Sequence, residues 1–130
     1  MGSALSKYLR SRYEAGGRGP HAFDCYGLVR LVRSEMFNKP LLGEHMGVLD
    51  TDKTELTRIC REESKDMREA DPAPGVLATC WRGNLFFHAG IVVEIDGRLA
   101  VLETNKKTGP RWKTIADFER IYTRVIYYDD

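Results

Sequence analysis

Cys25, His88, Glu103, Asn105 and Tyr13 are the residues of this 130-residue chain whose types can combine in covalent chemistry. They offer a thiol, an imidazole to take its proton, a carboxylate or amide to orient the ring, and a phenol. The thiol closes the stretch "YEAGGRGPHAFDC" and directly follows Asp24, a residue type favoured as a helix N-cap. With Asp24 as cap, Cys25 takes the first helical position. Unpaired backbone N–H groups and the positive end of the helix dipole favour a thiolate there, can hold an oxyanion, and predict a lowered thiol pKa. Position alone leaves a second reading open, a buried core cysteine.

The other thiols and imidazoles have plainer readings. Cys60 lies at helical spacing with Leu56 and Ile59 and reads as core, and Cys80 beside Trp81 reads as buried. Three scattered cysteines without a C-x-x-C pair predict a reduced chain with no zinc site, and no metal or cofactor is expected. His21 and His45 read as solvated loop residues. His88 opens the apolar run "AGIVVEI", where an ionisable ring either caps a strand edge or faces a site.

Hairpin arithmetic then selects its neighbours. Asp96-Gly97 suits a two-residue hairpin turn, so Ile95 pairs with Arg98. Counting back sets Gly90 opposite Glu103 and His88 opposite Asn105. Side chains alternate along a strand, so His88, Glu103 and Asn105 share one face and Thr104 points to the other. Glu103 is the first candidate to orient the imidazole and Asn105 the second; a solvated polar strand face is the alternative.

These residues need a frame of helices followed by a sheet. Residues 4 to 13 read as a short helix ended by the segment from Gly16 to Pro20. "CYGLVRLVRSEMF" continues from Cys25 as a central helix with Leu28, Val29, Leu31, Val32 and Met36 on a wide apolar stripe. Residues 38 to 50 are loop-like, and Asp52 with Glu55 forms a capping-box pattern for a helix over 54 to 65. "ADPAPG" closes the helical half. "GVLATCW", "FFHAGIVVEI" and "RLAVLET" then read as strands, Thr114 caps a short helix through Ile121, and "RVIYY" is a last strand. Helices followed by an antiparallel sheet predict an α+β domain spanning 1–130 as a single unit.

Composition bounds the partners. With 42% hydrophobic and 30% charged residues the chain can bury one core, and its net charge of +1 gives no electrostatic reason to expect nucleic acid or a membrane surface. The opening "MGSALSKYLRSRY" lacks the apolar stretch of a signal peptide, so cytoplasmic synthesis is expected.

The joint spacing also resembles a family. Tyr13, Gly16, Gly17, Pro20, Phe23, Asp24, Cys25, Gly27, Leu28 and Val29 match the signature of the NlpC/P-sixty family of papain-like cysteine peptidases. "HAGIVV" resembles its His-Val-Gly-Ile segment, and "APGVLAT" its Pro-Gly-Asp-Leu strand. The resemblance covers most of the chain from Tyr13 to Asn105. It implies a papain-like, NlpC-type fold with Cys25 as nucleophile, His88 as base and Tyr13 as a phenol near the oxyanion. The third residue, usually His in the family, falls on Glu103 by the hairpin count. Asp24 and Tyr26, flanking the nucleophile, are expected to touch the substrate. Tyr26, where the broad family has Ser, resembles the branch found in bacteriophage and prophage tail proteins.

The implied activity is hydrolysis of a peptidoglycan stem peptide between D-glutamate and the diamino acid, at the bacterial cell wall. The implied partners are that peptide and phage tail proteins, with location supplied by the assembled particle. Two other classes use the same residues: a non-catalytic tail or wall-binding module of this fold, and a Cys/His acyltransferase or deamidase.

Overall fold

The change of apolar period near residue 75 becomes a division into layers in the computed structural model, which describes residues 2–130. Met1, the first residue of the opening stretch read for a targeting signal, lies outside the described residues. The helical half holds α1 (Gly2–Leu9), α2 (Cys25–Phe37) and α3 (Lys53–Ser64), with two short strands, β1 (Arg12–Tyr13) and β2 (Ala22–Phe23), between α1 and α2. The second half holds β3 (Arg68–Glu69), β4 (Leu77–Arg82), β5 (Leu85–Ile95), β6 (Arg98–Asn105), β7 (Gly109–Thr114), α4 (Ile115–Ile121) and β8 (Val125–Asp129). The chain is α+β, as its period change predicts, with a six-stranded antiparallel sheet ordered β3-β8-β4-β5-β6-β7.

The two sheet faces bury different partners. Leu28, Val29 and Val32 of α2 and Leu56 and Ile59 of α3 pack against Leu77, Ala89, Ile91, Val93 and Leu102. On the other face Phe118 of α4 packs against Val76, Ala78, Cys80, Val92, Val101 and Tyr127. Each fully buried Leu, Ile, Val or Phe contributes roughly 1.5–3 kcal/mol of hydrophobic stabilisation. Cys60 and Cys80 are buried in these clusters, in line with their sequence reading.

Both helix caps that matter to the site form. Asp24 Oδ1 accepts the Gly27 N–H at 2.8 Å, and Asp52 Oδ1 accepts the Glu55 N–H at 3.2 Å. Gly27 is demanded by packing: a Cβ there would sit 2.0 Å from the Gly17 carbonyl oxygen, so the first turn of α2 lies directly on the glycine-rich loop. The hairpin of β5 and β6 has the counted register, Ile95 opposite Arg98 through Ile91 opposite Leu102, with positive φ at both Asp96 and Gly97.

The first helix and the strands β1, β2, β3 and β7 depart from expectation, and a bulge interrupts the pairing of β4 with β5. The first helix stops at Leu9, and Tyr13 instead lies on β1, paired in parallel with β2 so that it stands opposite Phe23. Extended pairing wins because α2 must begin directly after Phe23, and β1 ties the glycine-rich loop to that start. Strand β7, "GPRWKT", has no apolar alternation and was not predicted; it is an edge strand whose ladder with β6 supplies the order. Between β4 and β5 a bulge shifts the register, with Cys80 opposite His88 but Trp81 opposite Phe86. Phe87 is the extra residue, so Phe86 faces the α2/α3 layer while Phe87 and His88 face α4.

Candidate active site

A cleft of about 560 Å³ opens between β1, the start of α3, the beginning of β5 and the turn into β7; Cys25 is not among its lining residues. Tyr13, Asp50, Lys53, His88, Arg111 and Tyr122 are among its lining residues. Tyr13 and His88, two of the predicted site residues, are thus brought to one cavity from positions 75 residues apart in sequence.

His88 is held on every side that the sheet and α4 present to it. Its Nε2 meets Glu103 Oε1 at 2.7 Å, and its ring stacks on Tyr122 with centroids 4.7 Å apart and planes 21° apart. Tyr122 also donates its hydroxyl to the same Glu103 oxygen at 2.8 Å, and Arg111 Nε donates to Glu103 Oε2 at 2.9 Å. Glu103 is fully buried. Burial works to raise its pKa, but the hydrogen bond and charge of His88, the Tyr122 hydroxyl and the Arg111 charge outweigh it and hold the carboxyl below its usual range. An ionised carboxylate fixes the ring and leaves Nδ1 as the nitrogen Glu103 does not engage.

Of the two candidates to orient His88, the structure brings Glu103 to the ring. Asn105 is occupied otherwise: its Oδ1 accepts the N–H groups of Lys107 and Thr108 at 2.9 and 3.0 Å, closing the turn into β7.

Cys25 sits at the first position of α2 and is buried. The Ala89 N–H supports its sulfur, from the residue next to His88. Its own N–H donates to Asp50 Oδ2 at 3.4 Å, and Tyr13 donates its hydroxyl to Asp50 Oδ1 at 2.7 Å. The expected lowering of the Cys25 pKa is reversed. Burial pushes the thiol up strongly, and the Asp50 and Asp24 carboxylates add to this, against the smaller opposing effects of the Ala89 N–H and Lys53. The helix start favours a thiolate, but a fully desolvated sulfur between two carboxylates does not.

Asp24 and Tyr26, expected to touch substrate, are scaffold residues in the structure. Asp24 is fully buried; its Oδ1 accepts from both Gly27 and Arg18 Nη1, the latter at 2.9 Å, and its Oδ2 has no partner among the described residues. Burial therefore raises its pKa despite the Gly27 and Arg18 contacts. Tyr26 is buried, donates its hydroxyl to the Gly43 carbonyl at 2.5 Å, and lies under the Arg18 guanidinium. His45, read as solvated, pairs with Glu63 Oε2 at 2.6 Å and is only partly exposed.

Sequence reasoning missed Asp50, Tyr122 and Arg111. Asp50 lies in the irregular segment, and Tyr122 ends α4, so neither carries a periodic signal. Arg111 stands directly opposite Glu103 in the ladder of β6 and β7, an opposite-charge pair that a correct β7 assignment reveals. Among the described residues no group of three or more His, Cys, Asp or Glu side chains is placed to hold a metal ion, and no helix is long and apolar enough to cross a membrane. No protein-family model matches the chain, and no curated protein matches it.

Proposed function

We propose that the chain is a cysteine hydrolase with the papain-like, NlpC-type arrangement, cleaving an amide bond in a peptidoglycan stem peptide between D-glutamate and the diamino acid. The observation that carries this reading is the His88 Nε2 to Glu103 Oε1 bond of 2.7 Å, which orients an imidazole in the cleft that Tyr13 also lines, while the N–H of the adjacent Ala89 reaches the Cys25 sulfur. In the reaction Cys25 Sγ passes its proton to His88 Nδ1 and attacks the amide carbonyl carbon, forming a C–S bond. The oxyanion takes hydrogen bonds from the Cys25 N–H and the Tyr13 hydroxyl. His88 returns the proton to the amine nitrogen as the C–N bond breaks. Water, deprotonated by His88, then attacks the thioester carbon and releases Cys25.

The cleft wall supports an acidic substrate. Lys53, Lys106, Lys107 and Arg111 line it, and a stem peptide carries carboxylates on both sides of the proposed bond. A place in a phage or prophage tail, with the assembled particle holding the domain against the wall, predicts weak activity for the isolated chain.

One observation favours a second reading, a non-catalytic wall-binding or tail module of the same fold: Cys25 is buried and the Asp50 carboxylate meets both oxyanion donors. Mass spectrometry of a synthetic stem peptide incubated with the chain and with its Cys25→Ala form separates the two. Slow release of the diamino-acid fragment by the wild type alone is expected; identical traces from the two proteins would overturn the hydrolytic reading.

A further inference from the structure

Among the described residues, Asp50 is the carboxylate in contact with both groups assigned to the oxyanion. Tyr13 Oη reaches its Oδ1 at 2.7 Å and the Cys25 N–H reaches its Oδ2 at 3.4 Å, with the side chain almost wholly buried. A carboxylate oxygen and a tetrahedral oxyanion are both anionic acceptors of the same N–H and O–H groups. They cannot occupy the cradle together. A thiolate formed beside Asp50 would also meet its negative charge across a short distance in a dry site.

We propose that residues 38–52 form a built-in gate whose Asp50 carboxylate fills the oxyanion cradle, holding the site latent until the segment is displaced. The proposal rests on the hydrolytic reading for the identity of the cradle.

The segment is built to come away without unfolding the domain. It contains no helix or strand, and it is tied down by side chains bonding to its backbone carbonyls. Arg18 reaches Glu44, His45 and Val48 at 2.6, 3.2 and 3.0 Å, Arg30 reaches Leu42 at 2.9 Å, and Tyr26 reaches Gly43. At its far end Lys53 Nζ holds the Asp50 carbonyl at 2.6 Å and the Phe87 carbonyl at 2.8 Å. Its outer surface carries Leu41, Met46 and Leu49 exposed to solvent. Releasing it breaks polar ties of about 0.5–1.5 kcal/mol each and lifts Leu42 and Val48 from the edge of the core beneath α2 and α3, whose remaining members belong to the helices and the sheet.

The test is the rate at which Cys25 is alkylated in the full chain at fixed pH, with Cys60 and Cys80 as internal controls and sites read by peptide mass mapping. Two reagents are compared, small iodoacetamide and bulky N-phenylmaleimide. For Asp50→Ala, at least a tenfold faster reaction of Cys25 with iodoacetamide is expected, and a larger gain with N-phenylmaleimide, with Cys60 and Cys80 unchanged. An unchanged Cys25 rate overturns the gate, as does an equal gain with both reagents, because removing a charge alone acts on both alike. Should all three cysteines accelerate together, Asp50→Ala has lost its fold, and the shape-conserving Asp50→Asn decides by the same ratio.

Stem-peptide cleavage separates this proposal from the reading beneath it. Faster cleavage by Asp50→Ala supports both. The labelling pattern without cleavage by either protein keeps the gate and overturns the hydrolase. Cleavage by the wild type that disappears in Asp50→Ala, with labelling unchanged, keeps the hydrolase and overturns the gate.

Discussion

His88, on the sheet and lining the cleft, is surrounded by partners that fix its ring, whereas Cys25, buried at the start of α2, is surrounded by groups that oppose its charged form. Glu103, Tyr122 and Arg111 form one connected network, and its central carboxylate is held ionised against the cost of burial. Around Cys25 the cap and Tyr13 are also hydrogen-bonded, yet burial, with Asp50 and Asp24, raises the thiol. The difference follows from what holds each side. Strand register and a packed helix fix the sheet side, while the helix side depends in part on an irregular segment tied down by single hydrogen bonds.

The largest expected effect lies on the helix side. Asp24→Ala removes the cap of α2 and leaves the Arg18 guanidinium buried without its carboxylate, so urea denaturation should show a loss of about 3–5 kcal/mol. Asp24→Asn retains a capping oxygen and should lose less. A loss under about 1 kcal/mol for Asp24→Ala would mean that the pair contributes little to the stability of this side.

On the sheet side, Glu103→Ala should lower turnover by roughly 10- to 1000-fold with circular dichroism unchanged, because His88 loses the group that orients it. The pH dependence of stability gives a reading independent of substrate. The folded pKa of Glu103 lies below its unfolded value, so its contribution is complete above about pH 4.3 and is lost as pH falls through the lowered folded value. Glu103→Gln should therefore be less steeply destabilised by acid than the wild type. Parallel acid transitions would show that the network does not hold the carboxylate ionised.

The smallest effects sharpen which residues belong to the network. Tyr122→Phe keeps the ring stack but removes one hydrogen bond to Glu103, and should reduce turnover by about 2- to 10-fold, in keeping with one net hydrogen bond. Asn105→Ala loosens only the turn before β7, at a cost on the order of 1 kcal/mol in stability, and should leave turnover within about twofold. A larger kinetic loss for Asn105→Ala than for Tyr122→Phe would assign the wrong member to the network.

By itself the sequence determined what depends on neighbours a few residues away. Asp24 caps α2 and places Cys25 at its first turn because cap, spacing and apolar stripe are all local. Asp96-Gly97 sets the hairpin register, and two-residue periodicity carries it back to His88 and Glu103. Thr114 caps α4 for the same local reason. Tertiary structure decided the rest. Tyr13 leaves the predicted helix because β2 offers it a partner, β7 exists because β6 has a free edge, and the bulge at Phe87 turns Phe87 toward α4 and Phe86 toward the α2 and α3 layer. The ionisation of Cys25 was beyond local reading for a physical reason: a helix start acts over one turn, whereas burial and the Asp50 charge come from segments that only the folded chain brings together.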